Sequence, residues 1–375
     1  MSSSSLLPQP IADLSPNSRS RGMVVTGESG TGVSTFLLNQ VAADLSKNRR
    51  IILFDPWGDL AVQLHKTYSD ILIWKVGVKE PSNCCVDLFA NGIRKISHDM
   101  VSERVMDLMY TLFDPEKSGL IGPRFTHTMR NSIAVLRDVG EASFTNLQRL
   151  LTDTSYLTSI LPRVVDPGAK AYFTKVLETT SDTSKSDVLE YILPKLSVVT
   201  PDSQLGMMLD TTITKPWGEV VKSSTKVIVV DLSALSTQSR TLSVAYSLIV
   251  QDLTRTLQGD KSIGEQLSIY TDEVQQIGTH TSQSLSHELR RVDAWYTSTV
   301  RDLYTLSPVE MHGYIVGKTL VSFRVSPPDA ALILPYFESF DDDIKLDTLP
   351  DFEIVARIRT DHGVVCAKSA NGSNR

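Results

Sequence analysis

A glycine-rich segment near the amino terminus has the spacing of a phosphate-binding loop. Residues 27–35 read GESGTGVST, which matches GxxxxGK[ST] at every fixed position except the lysine, where Val33 stands. Glycines let backbone N–H groups turn inward, and the N-terminus of a following helix favours anionic phosphate. The predicted nucleotide-binding residues are Gly27, Glu28, Ser29, Gly30, Thr31, Gly32, Val33, Ser34 and Thr35.

The substitution at Val33 removes one part of this apparatus and leaves the rest. Backbone cradling of phosphate does not need the lysine, whereas neutralisation of the β- and γ-phosphate charge does. Ser34 remains able to ligate Mg²⁺, so the expected cofactors are ATP and Mg²⁺. The alternative is a glycine-rich turn between a strand and a helix that binds no ligand.

Two adjacent acids follow a later apolar run, LSIYTDE at residues 267–273. A P-loop ATPase needs a carboxylate at the end of a neighbouring strand for the Mg²⁺ shell, and often a second acid to orient water. We assign Asp272 to Mg²⁺ and Glu273 to water. Asp231, which ends VIVVD, is the competing single acid, and a further alternative is that the pair only caps a helix.

Other charged residues give weaker signals. Asp55 ends the run RIILF and begins DPWGD, where its carboxylate could face a nucleotide or cap the next helix. Arginines that could reach a neighbouring subunit are Arg290, Arg291 and Arg301, although most arginines are solvated surface residues.

Bulk properties restrict the class of protein. A chain of 375 residues with net charge -6 can bury a large core but is not coated in basic surface. Three cysteines, two of them adjacent, lack the paired spacing of a zinc site and fit a reducing compartment. No stretch approaches the roughly 20 apolar residues of a membrane span. We therefore expect a cytoplasmic protein without a membrane segment.

The periodicity of apolar residues divides the chain into regions. Short β-rich runs occur early and late and are typical of a parallel sheet, whereas the middle shows only helical periods. The predicted fold class is therefore α/β, a P-loop NTPase sheet with an all-helical insertion. The expected divisions are a flexible tail at 1–21, a core at 22–95 and 215–375, and a helical insertion at 96–214.

The order of these pieces resembles the additional-strand RecA-like ATPases of the HerA/FtsK superfamily, especially type IV secretion coupling proteins of the TraG/TraD kind. The resemblance covers most of the chain after the tail. It is carried by residues 27–35, DPWGDL at 55–60, GPRFTHTMRNSIAVL at 122–136, KVIVVDLS at 226–233, IYTDEVQQI at 269–277, HELRR at 287–291, VSFRVSPPDAALI at 321–333 and LPDFEIVARI at 349–358.

This resemblance implies a ring, usually hexameric, that hydrolyses ATP between subunits and moves DNA through its centre. By position, Asp272 and Glu273 match the metal and water acids, and Arg290 matches the arginine that follows them. The chain departs from the family at Val33 and in the strand TSTVRDL at 297–303, which lacks the glutamine that senses the γ-phosphate. The sequence also shows no membrane segment of the family's kind, so we expect a trimmed form.

The sequence leaves two functional hypotheses open. One is an ATP-driven DNA translocase or packaging motor in which Lys318, Arg301 or a neighbouring subunit's lysine replaces the missing cation. The other is a catalytically inactive scaffold that assembles with an active ATPase or another partner, because phosphoryl transfer needs all its charge-stabilising parts. A small-molecule kinase fits less well. A pore loop for DNA could lie at KPWG, residues 215–218.

Overall fold

The structure is a computed structural model that describes residues 16–80, 84–90, 96–178, 190–209, 215–337, 344–360 and 363–368. The chain divides into two compact units. The first comprises the residues up to Lys75 and from Val220 onwards, and the second comprises Val76–Glu219.

The strands are numbered in chain order. They are β1 (Met23–Thr26), β2 (Arg50–Asp55), β3 (Ile71–Lys75), β4 (Cys84–Cys85), β5 (Lys215–Pro216), β6 (Val227–Asp231), β7 (Leu267–Thr271), β8 (Trp295–Val300), β9 (Thr319–Ser322), β10 (Val355–Thr360) and β11 (Gly363–Lys368). The helices are Pro16–Ser20, Val33–Ser46, Asp59–Thr67, His98–Phe113, Pro123–Val139, Phe144–Thr152, Thr154–Ile160, Pro167–Glu178, Gln204–Leu209, Trp217–Lys222, Ser239–Gly259, Lys261–Glu265, Val274–Ile277, Thr279–Arg290, Pro308–Ile315 and Pro327–Ile333.

A nine-stranded sheet organises the first unit, in the order β11-β10-β9-β1-β8-β7-β2-β6-β3. The seven strands from β9 to β3 run parallel, and β10 and β11 add an antiparallel pair at one edge. The predicted α/β fold is thus confirmed, with β8 as the additional strand between β1 and β7.

The burial of the central strands explains their near-continuous apolar sequences. Strands β2, β6, β7 and β8 are buried at every residue, as expected for parallel strands covered on both faces. On one face, Leu37 and Val41 of the helix Val33–Ser46 belong to the same apolar cluster as Ile51 and Leu53 of β2. This packing anchors the helix that follows the glycine-rich loop.

The first described residues also belong to the folded unit. Of the predicted tail at 1–21, residues 1–15 lie outside the described part, whereas Pro16–Ser20 form a short helix. Arg19 is buried and forms an ion pair with Asp44, with 2.6 Å between Nη2 and Oδ2. Described helical structure in this unit therefore begins before the predicted boundary at Gly22.

The second unit is largely helical. From residue 96 to residue 209 its described residues contain helices and no strand, while β4 and β5 form a separate parallel pair. The long helix Pro123–Val139 has Pro at its first position and ends at Gly140 with φ 78°. Both features are typical of helix boundaries, because Pro lacks an N–H and Gly adopts positive φ readily.

Candidate functional site

The register of three parallel strands brings the predicted site residues to one edge of the sheet. Thr26, the last residue of β1, is the register partner of Val300 on β8. On the other side of β8, Ser298 is the register partner of Thr271, the last residue of β7. Consequently the glycine-rich loop, Arg301 and the acid pair all follow the carboxyl ends of neighbouring strands, where α/β proteins bind ligands.

The glycines of the loop stand where other residues would be strained or would collide. Gly30 and Gly32 have φ of 81° and 112°, in the left-handed region that glycine tolerates. A Cβ at Gly27 would lie 2.7 Å from the Cβ of Phe323. The helix begins at Val33, directly after Gly32. The loop thus has the backbone form that a phosphate-binding turn requires.

The Val33 side chain is used in apolar packing. It is partly buried against a core cluster that includes Val25, Phe36 and Phe323, whereas the next two residues, Ser34 and Thr35, are exposed. Valine at the lysine position therefore contributes to the core beside β1 and β9, and it brings no positive charge to the loop.

Arg324 and Phe352 also contact the glycine-rich loop. Arg324, after β9, forms ion pairs with Asp351 at 2.7 Å and with Glu28 at 3.5 Å. The Phe352 N–H donates to the Thr31 carbonyl at 2.8 Å, and the Phe352 ring lies so close that a Cβ at Gly32 would be 2.6 Å from its Cδ1. Neither Arg324 nor Phe352 was recognisable from the sequence as a site residue. Their only signal was that each lies in one of the motifs that carry the family resemblance.

Hydrogen bonds to one threonine fix the acid pair. The Thr299 hydroxyl donates to Asp272 Oδ1 at 2.5 Å and accepts from the Glu273 N–H at 2.7 Å. Both acids are buried, with exposed fractions of 7% and 4%. Burial raises the pKa of Asp272 to about 6, and the nearby Glu273 carboxylate acts in the same direction. Oxygen donors so arranged suit a hard cation.

Glu273 is held by both its backbone and its side chain. Its φ is 40°, in the left-handed region that a glutamate rarely adopts. Its carboxylate Oε1 forms a very close ion pair with Arg301 Nη2. The Arg301 backbone N–H in turn donates to Gln275 Oε1 at 3.3 Å. Strain of this kind at buried polar residues is typical of functional sites.

The other two candidate acids, Asp55 and Asp231, are bound to backbone N–H groups of their own turns. Asp55 accepts from the backbone N–H groups of Trp57, Gly58 and Ala61 at 2.9–3.1 Å, so it caps the turn and the helix after β2. Burial raises its pKa, against those three hydrogen bonds. Asp231 accepts from the Ser233 N–H at 2.9 Å, and its strand β6 lies beyond β2 and β7 from the loop.

The remaining cation candidates lie far from the loop within the chain. Lys318 directly precedes β9, whose first residue pairs with Met23, so it lies at the amino ends of the strands. With about 3.3 Å per residue, the four residues of β1 separate this edge from the loop by roughly 13 Å. Arg290 and Arg291 are exposed at the end of the helix that leads to the start of β8. Trp217, in the candidate pore loop at residues 215–218, is buried.

The donor set is consistent with Mg²⁺ but does not enclose it. Ser34 and Asp272 would supply one hydroxyl and one carboxylate, and Mg²⁺ commonly keeps waters and phosphate oxygens as its other ligands. Among the described residues, no group of three or more His, Cys, Asp or Glu side chains forms a metal site.

Comparisons with solved structures show which proteins share this geometry. The plasmid coupling protein TrwB in complex with the GTP analogue GDPNP superposes with TM-score 0.61 at 14% identity, over 95% of this chain and 88% of TrwB. TrwB with ADP and Mg²⁺ gives TM-score 0.58 at 14% identity, over 96% and 87%. VirB4 of Thermoanaerobacter pseudethanolicus gives 0.60 at 11% identity, over 93% and 90%. The chain has the fold of TrwB and VirB4. The TraG/TraD resemblance seen in the motifs is confirmed at the level of this TrwB-like fold.

Sequence comparisons add little to the TrwB-like fold. No known family profile matches the chain. FHIP family proteins of Drosophila grimshawi and Drosophila persimilis are 26% identical over 120 residues, which is 32% of this chain and 10% of those proteins. The chain therefore spans only about a tenth of these curated relatives. Within the described ranges, no helix combines the length and apolar character needed to cross a bilayer.

Proposed function

We propose that this protein binds ATP with Mg²⁺ at residues 27–35 as a relative of DNA-translocating coupling or packaging motors, and that it hydrolyses ATP slowly. The observation that carries the proposal is one edge of the sheet that retains a glycine loop of phosphate-binding form and a buried acid pair while Val33 packs into the core. Binding elements are kept and one charge-neutralising element is lost.

The binding half of the proposal rests on the loop and the acids. Backbone N–H groups at the start of the helix Val33–Ser46 favour the phosphates, and Ser34 and Asp272 would hold Mg²⁺. When bound, Mg²⁺ neutralises phosphate charge. Glu273 orients water in this proposal. TrwB, which shares the fold, has been captured with ADP and Mg²⁺.

Slow hydrolysis is proposed because position 33 lacks a positive charge. A lysine at position 33 would place an ammonium against the β- and γ-phosphates, and electrostatic stabilisation of this kind is often the largest contribution to phosphoryl transfer. Without nucleotide, Glu273 is in addition paired with Arg301, so its carboxylate is available to water only once that pair opens. Turnover well below the usual range of motor ATPases is therefore expected.

The wider assembly is proposed by analogy with the fold. We propose a cytoplasmic homo-oligomer, hexameric by resemblance, with DNA as the substrate of its pore and residues 96–214 as an inserted accessory domain. Arg290 is exposed at the opposite edge of its own sheet, so it can act as an arginine finger only on a neighbouring subunit. An assembly with an active ATPase is the second arrangement compatible with this position.

The test is ATP binding and turnover by the purified protein with Mg²⁺, with and without DNA. Val33→Lys should raise turnover at least tenfold, since one positive charge on the transferred phosphate is worth several kcal/mol. Val33→Met is the matched control, because it has similar length without charge and should leave turnover low. Glu273→Gln should abolish turnover in both backgrounds without weakening ATP binding.

The catalytically inactive scaffold is the alternative, favoured by the simultaneous loss of the lysine and of the sensor glutamine. ATP binding without turnover, even in Val33→Lys, would support a nucleotide-bound scaffold. Absence of both binding and turnover would reject the proposed nucleotide site.

A further inference from the structure

We propose that Arg301 replaces the missing P-loop lysine by exchanging partners, so that the terminal phosphate of a bound nucleoside triphosphate draws its guanidinium away from Glu273. This inference rests on the proposed nucleotide site and assigns to Arg301 the discrimination between triphosphate and diphosphate. It makes Arg301 a sensor of the terminal phosphate as well as the neutralising cation.

Arg301 follows a strand that lies between the glycine loop and the acid pair. It directly follows Val300, the register partner of Thr26, so its backbone lies beside the first residue of the glycine loop. Neighbouring strands are about 4.8 Å apart. β8 has β1 on one side and β7 on the other, so Arg301 follows the strand between the loop and the acid pair. Both partners are within reach of one arginine side chain.

The backbone of Arg301 is held by a hydrogen bond, whereas its guanidinium is partly exposed. Its backbone N–H donates to Gln275, and Thr299, two residues earlier, is hydrogen-bonded to the acid pair. Its side chain, however, is 39% exposed, whereas that of Glu273 is 5% exposed. The guanidinium can therefore rotate while its Cα stays in place, and its planar donors match phosphate oxygens.

Two other cations, Lys318 and Arg324, are unsuited by position or by pairing. Lys318 lies at the opposite edge of the sheet. Arg324 is paired with two carboxylates, those of Glu28 and Asp351. Arg301 has a single ion-pair partner among the described residues, and that partner is the proposed water-orienting acid. A terminal phosphate carries more negative charge than one carboxylate, so exchange is electrostatically favourable.

The exchange would couple substrate recognition to activation. While Arg301 contacts Glu273, the carboxylate is neutralised; when the phosphate attracts Arg301, Glu273 becomes available to orient water. A diphosphate lacks the group that competes for Arg301, so it would leave the ion pair in place. The exchange also gives a physical role to the arginine in a strand without the family's sensor glutamine.

The test is equilibrium binding to the full chain by calorimetry, with Mg²⁺ and either ADP or a non-hydrolysable ATP analogue. Arg301→Gln should lower affinity for the triphosphate about tenfold or more, as expected for loss of a charged hydrogen bond, and leave ADP affinity within about twofold. Arg301→Lys should retain part of the discrimination. Arg149→Gln, which removes an exposed arginine of an unrelated ion pair, is the matched control and should change neither affinity.

A double-mutant cycle with Glu273 tests the exchange itself. Glu273→Gln removes the competitor for Arg301 and should raise triphosphate affinity several-fold without changing ADP affinity. In the double variant Arg301→Gln/Glu273→Gln this gain should vanish, because the two effects depend on one ion pair. Circular dichroism with thermal melting verifies that each variant is folded.

The outcomes separate this inference from the proposed function. If the wild-type protein binds both nucleotides and Arg301→Gln changes both affinities equally, or neither, the exchange is wrong and the nucleotide site stands. Additive effects in the cycle would likewise overturn the exchange. If no nucleotide binds to the wild-type protein, the proposed site is rejected and the exchange with it.

Discussion

Two ion pairs lie at opposite ends of the parallel strands and serve different purposes. Beside the start of β1, Arg19 contacts Asp44 at 2.6 Å, and the Tyr270 hydroxyl donates to the same carboxylate. Beyond the end of β8, Arg301 contacts Glu273. Both join an arginine to an acid, yet the side chains of the first pair are each 3% exposed, whereas the Arg301 side chain is 39% exposed.

The difference shows how one sheet separates stability from reactivity. Burial opposes the Arg19 charge, but the Asp44 carboxylate outweighs it, so the pKa of Arg19 is raised. Every member of that network is satisfied and fixed. At the other edge Glu273 has positive φ, and burial raises the pKa of Asp272. Groups held in unfavourable states are those that a ligand can rearrange.

Replacing Asp44 should have the largest effect on stability. Asp44→Asn leaves Arg19 as a buried charge without its counter-ion, which typically costs about 3–5 kcal/mol of unfolding free energy. Urea unfolding followed by circular dichroism measures it. Glu288→Gln, which breaks an ion pair whose arginine is 74% exposed, should cost less than about 1 kcal/mol. Similar losses for the two variants would contradict the comparison.

Unlike Arg19, Lys318 is an unfavourable buried charge at the amino ends of the strands, and its removal should stabilise the protein. Its Nζ has no hydrogen-bond partner among the described residues, and burial lowers its pKa from 10.5 to about 8. At about 1.4 kcal/mol per pH unit, the buried ammonium costs up to about 3 kcal/mol. Lys318→Met should therefore raise the unfolding free energy at pH 7 by as much as that amount.

The pH dependence gives this effect a signature. Below pH 8 both folded and unfolded chains carry the proton and the full cost remains. Between pH 8 and 10.5 the folded chain loses the proton first, so the stability of the wild type rises with pH and the advantage of Lys318→Met declines. Lys66→Met, at an exposed helix position, is the control. A difference between Lys318→Met and wild type that is constant over this range would contradict the mechanism.

The sequence predicted the elements better than the contacts between them. Apolar runs such as RIILF and KVIVVD were sufficient to predict β2 and β6, because buried parallel strands are continuous in sequence. The glycine loop and acid pair were recognisable since their spacing is local. Together they predicted the α/β fold and one edge of the sheet as the candidate site.

The contacts that could not be predicted from the sequence depend on strand register and packing. The Arg301–Glu273 pair forms because β8 lies beside β7, an arrangement that residue spacing does not encode. The direction in which Val33 packs depends on Phe323, which is 290 positions later in the chain. The sequence allowed Lys318 as a substitute cation. Its neighbour Thr319 pairs with Met23 at the start of β1, so Lys318 lies at the amino ends of the strands, away from the loop.

Relieving the strain at Glu273 should have the smallest effect, and its sign is informative. A left-handed conformation costs a non-glycine residue about 1–2 kcal/mol. Glycine removes this cost but makes the unfolded chain more flexible, which cancels about 0.4–1 kcal/mol of the gain. Glu273→Gly should therefore raise the unfolding free energy by roughly 0.5–1 kcal/mol. Arg301, already partly exposed, can hydrate when its partner is removed.

Asp293→Gly provides the matched backbone control. Asp293 is exposed and has φ 53°, so relief of the same kind occurs there without loss of a site carboxylate, and it is the smaller because Asp tolerates this region better than Glu. A gain at Glu273 equal to or larger than that at Asp293, measured in urea, would mean that the Glu273–Arg301 pair adds nothing to stability and is kept for function. A clear loss at Glu273 with a gain at Asp293 would instead make this ion pair a structural one, equivalent to Arg19–Asp44, and would remove the distinction between the two edges.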